Sequence, residues 1–400
     1  MPKYIVKPLS SISEIGLKKL DKTDCTLDNS TSSPDGILVR STKVDDTHLS
    51  NSLLAISRAG VGVNNIPLQA CSDKGVVVFN TPGANANAVK ELVLAGLMLS
   101  SRNVYSSIDF VNKLGHLKDM KDLEPFLEEN KKQFKGKELA GSTLGVIGLG
   151  AIGSKVAGMG VALEMEVFGF DPALSVEAAW KLPSQVLPVE NMEDIFKNSD
   201  FISVHIPALE TTKEIINNNL FKYSKGASLL NFARHEVVNT EHVIEALESN
   251  NLGNFITDFP TPELISRSVE KKDVILLPHI GASTKQAEEN CAVMAVDQMV
   301  NFLETGNIKN SVNFPDVQAN RTTDYRITIT NKNVPAMIGQ IATALGELGL
   351  NITDMTNVSR GDIAYNLIDI ENEVKDEAIL ALAKIENITN VRLILGNDLY

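Results

Sequence analysis

The sequence predicts an α/β protein of three domains, and three observations predict it. Short apolar runs bounded by Gly, Pro, Ser or Asn alternate with helical stretches over the first 300 residues, the pattern of parallel sheets. A glycine-rich turn between a strand and a helix, Gly148-Leu149-Gly150-Ala151-Ile152-Gly153, opens the middle portion. Beyond residue 324 the order becomes β-α-β-β-α-β, the ferredoxin-like unit. We expect a smaller flavodoxin-like α/β domain over 1–98 and 290–318, a doubly wound parallel-sheet domain over 99–289, and a ferredoxin-like domain over 324–400.

The elements follow in order. "YIVKPL", "GILVRS", "LLAISRAG" and "VVVFNTPG" read as strands of the first domain. "NANAVKELVLAGLMLSSRNV" is apolar on most faces and reads as a buried helix, and residues 106–138 form a polar stretch. "STLGVIGLGAIGSKVAGMGVALEMEVFGFDP" is strand, turn, helix and strand in one piece, with further strands at "FISVHIP", "ASLLNFA", "GNFITDF" and "DVILLP". In "LLPHIGAST" a strand hands over to a helix, with Ser283 and Thr284 as helix caps, and the helix over 284–305 leads away from that last strand. "GNIKNSVNFPDVQANRTTD" has little periodicity and reads as a linker. "YRITIT", an amphipathic helix in "PAMIGQIATALGELG", two strands around Arg360-Gly361, a helix in "KDEAILALAKI" and a last strand "VRLIL" complete a separate domain.

Composition excludes several classes. Four hundred residues exceed one ordinary core, and 43% hydrophobic with 22% charged residues is ordinary for a globular protein. A net charge of −13 argues against a nucleic-acid partner. Cys25, Cys71 and Cys291 form no CxxC pair, so we expect reduced thiols and a cytoplasmic location. The N-terminus lacks the apolar region of a signal peptide, and "ELVLAGLML" is too short to span a bilayer, so no membrane partner is expected. Six dispersed histidines lack metal-ligand spacing, so no metal is expected.

The glycine turn carries the first chemistry. Gly148, Gly150 and Gly153 permit a tight turn and close approach of the Ala151–Ile152 backbone to a pyrophosphate resting on a helix N-terminus, the Rossmann arrangement. Asp171 ends the next strand, 18 residues past Gly153, where a carboxylate accepts hydrogen bonds from ribose hydroxyls and repels a 2′-phosphate. No Arg or Lys follows until Lys181, so NAD is expected over NADP.

Three further strand ends carry Arg234, then Asp258 with Glu263 in its loop, then His279. An alcohol that loses hydride must also lose its proton, and imidazole titrates near working pH. A nearby Glu favours imidazolium and fixes the tautomer. Arg holds a planar carboxylate through two hydrogen bonds, beyond the reach of Lys.

"GLGAIG" with Asp171, "VHIP", "NFAR", Glu263 in its loop and "PHIGAST", together with "RAGVGVNN" and "NTPGANANAVKEL", resemble the D-isomer-specific 2-hydroxyacid dehydrogenase family over residues 35–300. The resemblance is to the branch that oxidises D-3-phosphoglycerate. It implies His279 as general acid/base, Glu263 as its carboxylate partner and Arg234 as binder of the substrate carboxylate and carbonyl oxygen. It implies that the backbone of Ala59, Gly60, Val61 and Gly62 meets the substrate carboxylate and that Asp258 faces the nicotinamide carboxamide. Ile206, Phe232, Ala233, Gly281 and Ala282 are implied to line the dinucleotide, and His205 to be a structural strand-end residue.

Arg40 resembles the phosphate-binding arginine of that branch, and Lys131 and Lys132 can add positive charge from this or a neighbouring subunit. The C-terminal domain resembles an ACT domain, in which Asn331, Asn333 and Asn351 match positions that bind L-serine between paired copies. The resemblance therefore implies NAD-dependent oxidation of 3-phosphoglycerate to 3-phosphooxypyruvate, the first step of L-serine synthesis, in a serine-regulated homo-oligomer, a dimer or tetramer. The alternatives are a related enzyme that reduces 2-oxoglutarate and an NAD-sensing binding protein like the dehydrogenase-related corepressors. His235 stands where the family usually has Gly and is expected to adopt a costlier backbone, while Asn239 replaces a common Asp and Ala336 a common Gly.

Overall fold

A computed structural model describes residues 3–396. Contacts divide the chain into two compact units, residues 1–85 with 285–400 and residues 86–284. The divide falls at the N-terminal ends of helices Ala86–Ser101 and Lys285–Thr305, whereas the expected limits at 98 and 289 lie inside those helices.

In the first unit, β1 (Tyr4–Pro8), β2 (Cys25–Leu27), β3 (Gly36–Val39), β4 (Ala55–Arg58) and β5 (Val77–Phe79) form a parallel sheet of order β2-β1-β3-β4-β5. This is the flavodoxin-like arrangement, reversing direction between β1 and β3. All four residues of β3 and all three of β5 are buried, which is why these strands read as continuous apolar runs. Helix Lys285–Thr305 packs Ala292, Ala295, Val296, Met299 and Phe302 into the same core.

The expected linker after that helix is a packed segment. Ile308, Phe314 and Val317 are buried, Ser311 bridges to Phe79, and Ile308 bridges to Val317. Isolated buried residues without a repeat carry no periodic signal, so the sequence conceals their burial.

In the second unit, β6 (Thr143–Ile147), β7 (Glu166–Phe170), β8 (Val186–Pro188), β9 (Phe201–Val204), β10 (Ala227–Asn231), β11 (Leu252–Thr257) and β12 (Val274–Leu276) pair in parallel. Their order, β12-β11-β10-β9-β6-β7-β8, reverses between β6 and β9, the doubly wound Rossmann topology. The polar stretch of this unit is helical, in Val104–Asn112 and Met120–Asn130, with Phe110 stacked on Phe126 at 6.0 Å. Asp119 caps the second of these helices by accepting from the Lys121 amide.

Returning to the first unit, β13 (Tyr325–Lys332), β14 (Ile352–Arg360), β15 (Ile363–Ile370) and β16 (Ile388–Leu395) form an antiparallel sheet of order β14-β15-β13-β16, the ferredoxin-like order. One face, with Ile327, Ile329, Ile368 and Ile370, packs on Ile341 and Leu345 of helix Met337–Glu347 and on Leu382 of helix Asp376–Leu382.

The other face is polar yet buried. Arg326 donates to Asp369 at 2.6 and 3.0 Å and to the carbonyls of Thr305 and Ala319 at 3.1 and 3.2 Å. Arg392 lies 4.6 Å over the Phe302 ring and donates to the Phe302 carbonyl at 2.7 Å, and the Tyr365 hydroxyl donates to the Gly306 carbonyl at 2.8 Å. These donors satisfy carbonyls left open at the end of helix Lys285–Thr305 and place two cations at its negative pole. The ferredoxin-like sheet therefore shares a core with the flavodoxin-like sheet: Tyr365 and Leu367 join Phe302, Phe314 and Val317 in one apolar cluster.

Candidate active site

The dinucleotide turn is shaped by the absence of side chains. Gly148 has φ +89°, and a Cβ there would lie 2.6 Å from the His205 carbonyl oxygen. A Cβ on Gly153 would lie 1.8 Å from the Gly148 oxygen, so the first helical turn closes on the loop only with glycine. Gly150 has nothing within 4 Å of its missing Cβ, leaving open space for a phosphate group. Ala151 and Ile152 lead into helix Gly153–Ala162. Asp171, just past β7, accepts from the Leu149 amide at 2.8 Å and the Ala173 amide at 2.9 Å, which sets its carboxylate beside the loop.

On β9, Ile206 follows the strand end within 3.0 Å of the built Gly148 Cβ. His205 is half-buried with its Nδ1 shut off from solvent, and desolvation drives its imidazole down to about 3, so the ring is neutral at working pH. Its Nε2 meets the Ser203 hydroxyl at 2.8 Å.

The next three strand ends hold the candidate chemistry. Asn231, the buried last residue of β10, donates to the Arg234 carbonyl at 2.9 Å and accepts from the Ala233 amide at 3.1 Å. Phe232 is buried beside it. Thr257, the last residue of β11, donates to the Asn231 carbonyl at 2.8 Å and accepts from the Phe259 amide at 3.2 Å. These two residues set the loops that carry Arg234 and Asp258, and the reading of the sequence did not single them out. Their signal was a polar residue closing each apolar run, in "LLNFAR" and "FITDF".

Asp258 ties β11 to the histidine loop. Its carbonyl accepts the His279 amide at 2.9 Å and its Oδ2 accepts the Gly281 amide at 2.8 Å. Its Oδ1 is buried with no hydrogen bond among the described residues, an acceptor suited to a carboxamide N–H. Burial raises this carboxyl, while the Gly281 amide and the His279 charge pull the other way. His279 takes a left-handed backbone, φ +51°, and its ring meets Phe259 edge-on at 5.0 Å. Ala282 follows on the exposed side of the loop. The open Gly150, the Asp171 carboxylate and the orphaned Asp258 Oδ1 together fit a dinucleotide ending in a nicotinamide.

Arg234 is extended, φ −153°, with Nη1 donating to the Ala233 carbonyl at 2.6 Å, and it forms no ion pair among the described residues. Glu263 stands in the first turn of helix Pro262–Glu270. Its own backbone amide and the Thr261 hydroxyl hold its carboxyl below the usual range. Among the described residues no hydrogen bond joins Glu263 to His279. The structure thus gathers Arg234, Asp258, His279 and Gly281 at one sheet edge, with Glu263 turned to its own helix end.

His235 does not take the costlier backbone expected of it. It has negative φ and opens a 3-10 turn, His235–Val237, with Nδ1 3.1 Å from the neighbouring Glu236 carboxylate. A 3-10 turn accepts any L-residue, so the change from glycine needs no strain. Asn239 acts as a helix cap, accepting from the His242 amide at 3.0 Å. Ala336 is the position that does carry the glycine penalty, at φ +71°.

In the first unit, Arg40 follows β3 and donates to Glu288 at 2.5 Å. It lines a cavity of about 190 Å³ with Ser11, Ser13, Lys285, Glu288 and Glu289, where Lys285 pairs with Glu289 at 3.7 Å. Ala59 to Gly62 follow β4, anchored by the Ala59 amide on the Val39 carbonyl at 2.8 Å. The three asparagines are not together within the chain. Asn331 and Asn333 lie at the end where Lys332 pairs with Ile363, and Asn351 precedes Ile352, which pairs with Ile370 at the opposite end. Asn331 is buried, its Oδ1 accepting from the Asn366 side chain at 2.8 Å and its Nδ2 donating to the Lys332 carbonyl at 2.7 Å.

Cys25, Cys71 and Cys291 are free and buried, and burial pushes the first two thiols up to about 11. Among the described residues no group of three His, Cys, Asp or Glu is placed to hold a metal, and no helix is long and apolar enough to cross a membrane.

Residues 108–281 match the family described as "D-isomer specific 2-hydroxyacid dehydrogenase, NAD binding domain". The chain is 36% identical over 283 residues to a hydroxypyruvate reductase of Thermotoga maritima, covering 68% of this chain and 85% of that protein. It is 35% identical over 285 residues to D-3-phosphoglycerate dehydrogenase of Rattus norvegicus, covering 70% of this chain and 50% of that protein. The Synechocystis enzyme of that name is 32% identical over 337 residues, 82% of this chain and 57% of that one. The chain thus spans about half the length of these two phosphoglycerate dehydrogenases. Among solved structures, NAD+-bound 3-phosphoglycerate dehydrogenase of Entamoeba histolytica aligns with a TM-score of 0.59 at 25% identity, over 78% of this chain and 98% of that one. With its glycine turn, its Asp171 and its Arg234–Asp258–His279 edge, the chain belongs to the D-isomer specific 2-hydroxyacid dehydrogenases, a family of NAD-dependent oxidoreductases.

Proposed function

We propose that the protein oxidises D-3-phosphoglycerate to 3-phosphooxypyruvate, the entry to serine synthesis. Bound NAD supplies the hydride acceptor. Gly148, Gly150, Ala151, Ile152 and Gly153 hold its pyrophosphate, Asp171 its ribose, and Asp258 with Ile206, Phe232, Ala233, Gly281 and Ala282 its nicotinamide half. His279 takes the hydroxyl proton, Arg234 grips the carboxylate, and Glu263 steadies the resulting imidazolium once its carboxylate leaves its own helix end, where the Thr261 hydroxyl now holds it. The backbone of Ala59 to Gly62 gives the substrate carboxylate further donors.

The observation that carries the substrate choice is Arg40 at a cavity it shares with Lys285; the two are paired there with Glu288 and Glu289, and a phosphate takes the Arg40 guanidinium by displacing Glu288. Arg40→Ala should weaken 3-phosphoglycerate far more than an unphosphorylated hydroxyacid, by about 1.5–3 kcal/mol for a charged hydrogen bond. Equal losses in kcat/KM for the two substrates, followed by NADH absorbance, would move the phosphate away from Arg40.

A second reading is reduction of hydroxypyruvate, favoured by the 36% identity to a relative so named of which 85% is covered. The same substrate panel decides between the two. The reading includes a cytoplasmic homo-oligomer regulated by L-serine through the ferredoxin-like domain, with Asn331, Asn333 and Asn351 as effector contacts. The buried free thiols support the location, and the split of the three asparagines between the two ends of the sheet supports the need for a second copy if all three act together.

A further inference from the structure

Glu288 is an acid where an anion is to be bound. Its Oε1 accepts from Nη2 of Arg40 at 2.5 Å, and Lys285 pairs with Glu289, one helical turn on, at 3.7 Å. The two cations that line the cavity of about 190 Å³ are thus each covered by a carboxylate from the start of helix Lys285–Thr305, and the four formal charges cancel. Whole small molecules typically occupy sites of roughly 300–1,000 Å³, so this cavity takes one group of a substrate. Ala59, which also lines it, begins the backbone stretch read above as the carboxylate contact.

The backbone of Arg40 is fixed and its side chain is not. The Arg40 amide donates to the Ser10 hydroxyl at 3.1 Å, and its carbonyl accepts from Arg58 Nε at 3.1 Å and from the Asn65 side chain at 3.4 Å. The guanidinium makes one hydrogen bond among the described residues, a single-point contact on Glu288, and the two side chains are 42% and 43% exposed. A pair so open to water is weak, and breaking it changes an equilibrium by only about two- to fivefold. A phosphate group carries a charge of about −1.5 to −2 on three acceptor oxygens and takes a guanidinium through two parallel hydrogen bonds. It outbids a single carboxylate oxygen. An uncharged terminal hydroxyl does not, so the pair stays closed beside it.

We propose that Glu288 is a specificity-determining residue, a resident competitor for Arg40 that yields to a phosphate and holds against uncharged groups. The inference rests on the reading of Arg40 as the phosphate contact. With the pair closed, the cavity offers a neutral wall to D-glycerate or hydroxypyruvate. With the pair open, it offers a cation to 3-phosphoglycerate. The resting site, neutral overall, has little pull on simple anions from solution.

The test compares wild type with Glu288→Gln and with Asp297→Asn, which removes a charge farther along the same helix, where Asp297 pairs with Lys19 at 2.6 Å. Initial rates are measured with 3-phosphoglycerate and with D-glycerate, the latter as substrate or as competitive inhibitor. Glu288→Gln should lower KM for 3-phosphoglycerate by about two- to fivefold at unchanged kcat, lower the inhibition constant of inorganic phosphate by a similar factor, and leave D-glycerate unchanged. Asp297→Asn should alter none of these, and the gain should vanish when Glu288→Gln is combined with Arg40→Ala. A raised KM for 3-phosphoglycerate in Glu288→Gln would make Glu288 a positioning residue for Arg40 and overturn the competitor. An unchanged KM, or an equal gain for D-glycerate, overturns it too, while the phosphate contact of Arg40 stands. If Arg40→Ala alone fails to separate the two substrates, the phosphate reading falls and this inference falls with it.

Discussion

His279 holds a left-handed backbone that disfavours a side-chain-bearing residue by roughly 1–2 kcal/mol, and the hydrogen bonds of Asp258 to residues 279 and 281 fix it there. The loop is thus set by Asp258, not by the histidine, and removing the imidazole should leave the loop in place. His279→Ala is expected to lower kcat by about 10²–10⁴-fold while NAD affinity, read by fluorescence titration, stays near wild type. Near-normal turnover by that variant would remove His279 from proton transfer. At Asp171, replacement by Ser with an added Arg should raise use of NADP, and equal wild-type rates with NAD and NADP would contradict the role given to that carboxylate. His235→Gly should lower stability by about 0.5–1 kcal/mol in thermal melts, because the native φ is negative and glycine gains only freedom in the unfolded chain. The cofactor residues were legible because each is dictated by local geometry: no side chain fits at Gly148 or Gly153. Asn231 and Thr257 were not, because their work is to accept and donate across neighbouring strands that only the fold brings together.

Among the elements, β13 shows both what a pattern reveals and what it hides. The alternation in "YRITIT" identifies a strand with one apolar face, and that face packs on two helices. The same alternation implies a wet face for Arg326 and Thr328, yet both are buried. The partners of Arg326 are the Asp369 carboxylate and the carbonyls of Thr305 and Ala319, none of which a period in this strand reveals. Burial raises the Asp369 carboxyl, but hydrogen bonds from Arg326 and Thr322 and the Arg326 charge outweigh it and hold the group below its ordinary value. Its stabilising contribution is therefore present above the unfolded value of 3.8 and lost as pH falls through the lower folded one. Asp369→Asn strands a buried guanidinium, which should lower stability by about 3–5 kcal/mol near neutrality and flatten the acid limb of a stability–pH curve. A variant whose acid limb matches wild type would show that other carboxylates govern acid unfolding.

For the whole molecule, the sequence marks three domains and the contacts mark two units, because Arg326, Tyr365 and Arg392 bind the ferredoxin-like sheet to the end of helix Lys285–Thr305. Cutting the chain at Asp324 would uncover Phe302, Phe314 and Val317 and leave helix-end carbonyls unpaired. The truncated protein should melt well below the full chain, measured by calorimetry, so effector insensitivity is better sought through point substitutions. An unchanged melting temperature would show that the two sheets hold their cores independently. The discontinuity of the first unit also bears on synthesis. Residues 86–284 form a contiguous unit that can close as soon as they leave the ribosome, whereas residues 3–85 must wait for partners from 285 onward. Through about two hundred residues of translation the β1–β5 strands stand without helix Lys285–Thr305, their apolar faces open to chaperones or to another nascent chain. A ribosome-stalled chain ending before residue 285 should therefore be protease-sensitive in its first 85 residues and resistant in the remainder.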